Sequence, residues 1–188
     1  MKPIKNWKDI TPSGDRERLK AGGYIIKITD VKDVPSKEYL EIIYDIAEGP
    51  EAGRFQDAFY ADKPYAHRFM RSYKDSAAGM FKAFINAVEA SNEGWSWDAC
   101  GWKEQALIGK IAGVVLREEE YRTNRGDVNT RLGVYSVIDA ERVRTGDYTV
   151  PDVKPLKEDE APAEASTGGF SPAPDVPFAQ LSDADIPF

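Results

Sequence analysis

Charge and proline content divide this chain near residue 150. The last 38 residues, 151–188, hold eight acidic and two basic side chains together with seven of the 12 prolines. Such a segment has too little apolar surface to offset the entropy lost on ordering, and its prolines cannot donate backbone hydrogen bonds. We therefore predict a disordered acidic tail over residues 151–188 and a globular domain over residues 1–150. Of the net charge of −7, only −1 then belongs to the domain.

Composition excludes membrane-spanning and secreted classes of protein. Hydrophobic residues make up 41% of the chain, with four Trp, nine Tyr and eight Phe, which is enough to build a core. The longest apolar run, residues 111–116, is much shorter than the roughly 18 residues that a membrane helix needs. The N-terminus lacks the apolar region of a secretion signal. We expect a cytoplasmic protein that does not contact membranes.

Cys100 and His67 are each the only residue of their type, which limits the available chemistry. A single cysteine cannot form an internal disulfide, and one Cys with one His makes a structural zinc site unusual. Serine- or cysteine-based catalysis would need His67 as its base. The sequence contains neither a Gly-x-Ser-x-Gly motif nor a phosphate-binding glycine loop. We expect a non-enzymatic protein with no catalytic residue, metal ion or cofactor.

Five segments of the domain have the composition of β-strands. Residues 39–46 alternate clearly, with Leu40, Ile42, Tyr44 and Ile46 on one face, as expected of a half-buried strand. The other segments are rich in β-branched and aromatic residues and are bounded by Gly, Pro, Asn or Asp. The predicted strands are 24–29, 39–46, 54–60, 107–116 and 131–138, with 124–129 as a hairpin tip.

A helical insertion, residues 62–103, separates the third and fourth predicted strands. Apolar residues at spacings of three and four predict an amphipathic helix over 77–90, with Ser76 as its N-cap and Asn92 near its end. Residues 1–20 are polar and predict an irregular arm. The fold class is therefore mainly β with a helical insertion, and the element order fits a five-stranded OB-fold-like antiparallel barrel, as well as other five-stranded barrels.

Basic and aromatic side chains are interleaved around the last hairpin, a pattern typical of single-strand binding. Such proteins pair a cationic groove for phosphates with aromatic faces for bases. The alternative is a solvated polar face with partly buried tyrosines. The candidate DNA-binding residues are Arg117, Tyr121, Arg122, Arg125, Arg131 and Tyr135, together with Lys27, Tyr39, Arg54 and Tyr60 on the first strands.

The last six residues, Asp183-Ala184-Asp185-Ile186-Pro187-Phe188, form a compact recognition motif. A terminal aromatic ring fills an apolar pocket while the adjacent carboxylate contacts an Arg or Lys, and the upstream acids steer it to a basic surface. We therefore expect a partner-binding tip over 183–188 with Asp183, Asp185, Ile186, Pro187 and Phe188 as its contact residues.

This tip resembles the acidic C-terminus of bacterial and phage single-stranded DNA-binding proteins, and residues 39–49 and 113–121 are similar to phage proteins of comparable size. The resemblance implies an OB-fold that binds and protects single-stranded DNA during phage replication, recombination and repair in the bacterial cytoplasm. It also implies that the tip recruits a polymerase, helicase, primase, nuclease or recombinase and competes with DNA for the binding cleft. A homo-oligomer is compatible with the resemblance.

Two alternatives of different class stay open. The first is an interaction adaptor that uses its tail without binding DNA, which scattered rather than converging arginines would favour. The second is a metal-dependent nuclease that uses Glu118, Glu119 and Glu120. Consecutive strand residues point to opposite faces, so a solvated charge run is the better interpretation of these three glutamates.

Overall fold

The computed structural model describes residues 17–61, 63–123 and 125–156, and the predicted tip and most of the predicted arm lie outside them. All strand pairs in the single sheet are antiparallel, and the strand order is β3-β2-β1-β4-β5. The elements are β1 (Gly22–Val34), β2 (Tyr39–Ile46), β3 (Arg68–Ser72), α1 (Ala78–Ser91), β4 (Ile111–Arg122), β5 (Val128–Ile138) and α2 (Ala140–Thr145). The predicted class, mainly β with five antiparallel strands and a helical segment, is confirmed. None of the helices in these ranges has the length and apolar character required to cross a membrane.

The alternation of β2 determines which face of the sheet is buried. Leu40, Ile42, Tyr44 and Ile46 are all buried, as predicted, and the first three pack in the main core. In antiparallel strands, directly opposite residues share a face. The register of β2 with β1 and of β1 with β4 therefore brings Ile28, Val114 and Leu116 to the same core.

The prediction of a third strand over residues 54–60 is wrong. Arg54–Gln56 and Ala58–Tyr60 are 3-10 turns, and the third strand is β3, inside the predicted helical insertion. The cause is Asp45, a buried carboxylate at the end of β2. Its Oδ1 accepts a hydrogen bond from the Phe55 amide at 2.9 Å, and its Oδ2 accepts one from Gln56 Nε2 at 2.7 Å. These bonds hold the chain in a turn, and the sheet resumes at Arg68.

Helix α1 closes the core and connects to β4 through its C-cap. The prediction of a helix over 77–90 is confirmed within one residue at each end. The prediction that Ser76 caps the helix is wrong. The 3-10 turn Asp75–Ala77 precedes the helix, and no side chain caps its first residue. Asn92 ends the helix as predicted. Its Nδ2 donates to the carbonyls of Val88 and Ile111 at 2.7 and 2.8 Å, so the helix end is tied to the first residue of β4.

The fourth strand begins and ends later than predicted. Leu107 lies in a 3-10 turn, and β4 continues to Arg122, well past the point where its pairing with β1 stops at Leu116. Residues 151–156, which the charge boundary assigns to the tail, occupy the edge that β1 leaves open. The Lys154 amide donates to the Glu118 carbonyl and the Lys154 carbonyl accepts from the Glu120 amide, both at 2.9 Å. The ordered sheet therefore includes the first residues of the predicted tail.

His67 gives the fold an expected pH dependence. Its ring stacks on Phe55 with the centroids 4.8 Å apart, and its buried Nδ1 has no hydrogen-bond partner within the described ranges. Burial lowers the pKa of His67 from 6.5, against the weaker attraction of Asp45. The unfolded chain therefore binds the proton more readily, and the free energy of unfolding should be constant above about pH 7 and decrease as the pH falls below 6.5.

Urea unfolding of wild type and His67→Phe between about pH 5 and pH 8 measures this dependence. Phenylalanine keeps an aromatic ring beside Phe55 and cannot titrate. The unfolding free energy of wild type should decrease relative to that of His67→Phe as the pH falls through 6.5. A pH-independent difference would show that folding leaves the pKa of His67 unchanged.

Candidate nucleic-acid interface

Five of the side chains around the last hairpin share one face of the β4–β5 ribbon. In the β4–β5 register, Arg117 is opposite Gly133, Glu119 is opposite Arg131, and Tyr121 is opposite Asn129. Directly opposite residues of an antiparallel pair project to the same side, and alternate residues along a strand do so too. We call this surface the ribbon face, and it consists of Arg117, Glu119, Tyr121, Arg131 and Tyr135.

Tyr135 lies on the ribbon face, in alternation with Arg131 and Gly133, and it is the extra residue of a β-bulge. Val115 pairs with Ser136 and Leu116 pairs with Val134, so Tyr135 is an extra residue with no partner in β4. Strict alternation would place Val137 on the solvent side with Tyr135, yet both Val134 and Val137 pack against the core. The bulge explains why Val137 faces the core. The extra residue shifts the alternation of the strand by one position, so the residues on either side of it both keep their core contacts. The Tyr135 side chain is 39% exposed.

Each tyrosine of the ribbon face is stacked by an arginine. The Arg117 guanidinium carbon lies 4.8 Å from the centroid of the Tyr135 ring, and that of Arg131 lies 5.6 Å from the Tyr121 ring. At partly exposed positions such cation–π contacts contribute about 0.5–1 kcal/mol each. The two stacks keep the guanidinium groups close to the sheet surface and beside aromatic rings, which is the combination that a nucleotide needs.

Glu119 lies between the two arginines. Its Oε1 accepts hydrogen bonds from Nε and Nη2 of Arg117, both at 3.3 Å, and its Oε2 is 3.9 Å from Nη2 of Arg131. Gly133, the diagonal neighbour of Glu119 across the ribbon, makes room for the carboxylate. A Cβ at this glycine would lie 2.7 Å from Glu119 Cδ, closer than real contacts allow.

Lys154 adds a third cation that the sequence patterns did not reveal. It is aligned with Glu119 in a parallel bridge, on the opposite side of β4 from Arg131. Aligned residues of neighbouring strands share a face, so the Lys154 side chain projects to the ribbon face. Glu119 thus pairs with two arginines and Lys154 adds a third cation to the same face, so these residues carry a net positive charge although the predicted domain carries −1.

The other two residues predicted around the hairpin do not join this surface. Arg122 lies on the opposite side of β4. Its Nη1 donates a hydrogen bond to the Gly126 carbonyl at 3.4 Å. Arg125 is exposed in the hairpin tip, which lies between Arg122 and Val128 as predicted. The predicted group around 117–135 is therefore brought together in part, through Arg117, Tyr121, Arg131 and Tyr135.

The four candidates on the first strands form no comparable surface. Lys27 is exposed on β1. Tyr39 is buried, Arg54 is largely buried in an ion pair with Glu51, and Tyr60 packs edge-on against Phe55 at 5.0 Å. Arg54 and Tyr60 are part of the packing around the turns that follow β2, because Asp45 holds that segment against the sheet, whereas Tyr39 is opposite Ser72 at the start of β2.

Arg71 on β3 is a further cation outside the predicted set. It is opposite Leu40 in the β2–β3 register, so it lies on the core side of the sheet, and its guanidinium carbon is 4.8 Å from the Phe69 ring centroid. Burial lowers the pKa of Arg71 to about 10. Its signal in the sequence is weak, because a charged residue at a core-facing position breaks the alternation that identifies a strand.

The three consecutive glutamates are divided between the two faces of β4. Glu119 lies on the ribbon face, whereas Glu118 and Glu120 lie on the other side, and Glu120 Oε2 accepts a hydrogen bond from the Leu156 amide at 3.0 Å. Across residues 17–61, 63–123 and 125–156, no three His, Cys, Asp or Glu side chains are grouped so that they could hold a metal ion.

No protein-family model matches the chain, and no curated protein is significantly similar to it.

Proposed function

We propose that the protein binds single-stranded DNA, with the strand lying across the ribbon face, and that it catalyses no reaction. The observation that carries this proposal is the presence of two arginine–tyrosine stacks and Lys154 on one side of the β4–β5 ribbon. Bases would stack on the exposed parts of Tyr121 and Tyr135, and stacking contributes roughly 1–3 kcal/mol per base. Arg117, Arg131 and Lys154 would contact phosphates.

The sheet topology supports an OB-fold-like barrel. The strand order β3-β2-β1-β4-β5 is that of a five-stranded barrel opened between β3 and β5, and α1 follows β3 in the chain. The helix contacts β3, β4 and β5, so it lies across the opening. OB-folds hold oligonucleotides with the loop between their last two strands, which is where the ribbon face begins.

The biological role follows from the resemblance of the C-terminal residues. The protein would bind and protect single-stranded DNA in phage replication or recombination in the cytoplasm of a bacterial host. Residues 183–188 would recruit partner proteins of those pathways, and they lie outside the described residues. A homo-oligomer is compatible with this role, since single strands are long enough for several copies to bind side by side.

Titration of a fluorescent oligothymidine at two salt concentrations tests the proposal. We expect micromolar or tighter binding, with a preference for single strands over duplex. Arg117→Ala and Arg131→Ala should each weaken binding roughly 5- to 10-fold, and the double variant should reduce the salt slope by about 1.4. Lys82→Ala, which removes an exposed charge on α1, is the matched control and should change affinity by less than about twofold.

A second candidate, the interaction adaptor, is favoured by the ion pairs that other arginines form within the protein. Arg68 is bound to Glu41 at 2.6 Å, and Arg144 is bound to Glu48 at 2.6 Å and to Glu141 at 3.1 Å, so these cations are already neutralised by the protein. If the wild-type protein binds neither single-stranded nor duplex DNA in the titration, strand binding is refuted and the adaptor is the better interpretation. The nuclease alternative gains no support from the grouping of carboxylates in the described ranges.

A further inference from the structure

Glu119 is in an unusual position for a surface acid. It projects from the middle of the ribbon face, with Arg131 across one neighbouring strand and Lys154 across the other, and it accepts two hydrogen bonds from Arg117. Its side chain is only 17% exposed. A carboxylate held between two arginines, on a face that also carries Lys154, occupies the place where an external anion would be attracted most strongly.

The neighbouring residues fit this carboxylate. Gly133, diagonally across the ribbon, has no side chain, and any Cβ there would collide with Glu119 Cδ. Arg131 is only weakly engaged, since its Nη2 is 3.9 Å from Glu119 and its side chain is 61% exposed. The carboxylate therefore lies at the centre of the site, while one of its cations keeps most of its capacity for another anion.

We infer that Glu119 is an affinity-setting residue, an internal anion that a backbone phosphate of the bound strand must displace from the two arginines. This inference rests on the proposed function. When a phosphate enters, Arg117 exchanges its hydrogen bonds with Glu119 for bonds to phosphate oxygens, and the glutamate turns towards solvent as a repelled like charge. Each binding event thus includes the loss of an existing ion pair, which weakens binding and favours rapid exchange of the strand.

Replacing Glu119 with glutamine tests the inference directly. Glu119→Gln keeps the size and hydrogen-bonding capacity of the side chain and removes the charge. We expect it to bind the fluorescent oligothymidine roughly 5- to 10-fold more tightly than wild type, with a steeper salt dependence. Glu118→Gln makes the same change of charge one residue away on the other side of β4, and it should change affinity by less than about twofold.

Gly133→Ala provides a second variant that leaves the glutamate charged. The added methyl group takes the space of the carboxylate, and the flexible end of Glu119 moves away at little cost to the fold. Binding should again be tighter than wild type, and combining Gly133→Ala with Glu119→Gln should add little. Thermal unfolding followed by circular dichroism verifies that each variant is folded.

The outcomes separate this inference from the proposed function. If wild type binds single strands and folded Glu119→Gln binds equally or more weakly, Glu119 positions the arginines instead of competing with the phosphate, and the inference is overturned while the proposed function stands. If neither wild type nor Glu119→Gln binds, the proposed function itself fails. Tighter binding by Glu119→Gln and by Gly133→Ala, with Glu118→Gln unchanged, supports both.

Discussion

Replacing Gly113 with alanine should lower the free energy of unfolding by about 2–3 kcal/mol, although it adds only one methyl group. Gly113 lies in β4 where α2 packs on the sheet. A Cβ there would be 2.8 Å from the Asp139 carbonyl oxygen, 2.7 Å from Val143 Cγ2 and 3.1 Å from Ile138 Cγ1. Because one of these atoms belongs to the backbone, the strain cannot be relieved by a rotamer change alone, and α2 must move away from the sheet.

Gly79→Ala is the matched control for this prediction. Gly79 lies in the first turn of α1, and a Cβ added there meets nothing within 4 Å. Alanine is the better helix former by about 0.8–1 kcal/mol in a helix interior, so this substitution should be neutral or stabilising. Urea unfolding followed by tryptophan fluorescence measures both variants. Equal stability of Gly113→Ala and wild type would contradict the close packing of α2 on β4.

Replacing Asp45 with alanine should destabilise the protein by about 2–4 kcal/mol. Asp45 is the buried carboxylate that accepts hydrogen bonds from the Ile46 amide at 2.8 Å, the Phe55 amide at 2.9 Å and Gln56 Nε2 at 2.7 Å. Removing the acceptor leaves one buried and two partly buried donors without this partner, and a fully buried loss costs about 1–3 kcal/mol before water or local rearrangement compensates. The turn Arg54–Gln56 should no longer be hydrogen-bonded to the end of β2.

Asp30→Ala tests whether burial is the cause of the effect. Asp30 also accepts a hydrogen bond from the amide of the next residue, Val31, at 2.9 Å, but it is exposed. Its replacement should cost less than about 0.5 kcal/mol. Hydrogen exchange of the Phe55 amide provides a local measurement, since that amide should lose its protection in Asp45→Ala. Similar losses of stability in the two variants would refute the special role of the buried carboxylate.

Local patterns were sufficient for the elements whose burial is regular. The alternation of residues 39–46 predicts β2 with its observed bounds, and the spacing of Phe84, Ile85 and Val88 predicts α1. The third strand was missed because its position depends on a contact between distant residues. Residues 54–60 have the aromatic content of a strand, but the Phe55 amide donates a hydrogen bond to Asp45, ten residues earlier in the chain, and this bond favours a turn. The short strand β3 has a buried Arg71 where alternation expects an apolar residue.

The candidate site could be predicted only where its residues follow strand spacing. Arg117 and Tyr121 are four residues apart in one strand, so alternation alone places them on one face. Lys154 could not be assigned to that face, because its local sequence is rich in proline and acids and its alignment with Glu119 is a feature of tertiary structure. The central position of Glu119 likewise requires the β4–β5 register, which a sequence pattern leaves undetermined.

The bulge at Tyr135 has a consequence for how a protein of this design can evolve. Tyr135 has no directly opposite residue in β4 and contacts that strand through its stack with Arg117, while the core contacts of Val134 and Val137 are made on either side of it. A substitution at this position can therefore alter the surface offered to a ligand at the cost of the Arg117 stack alone, while the core contacts of Val134 and Val137 are kept. Variation in recognition and variation in folding are thus uncoupled at this one position, where a new ligand preference can arise by single mutations.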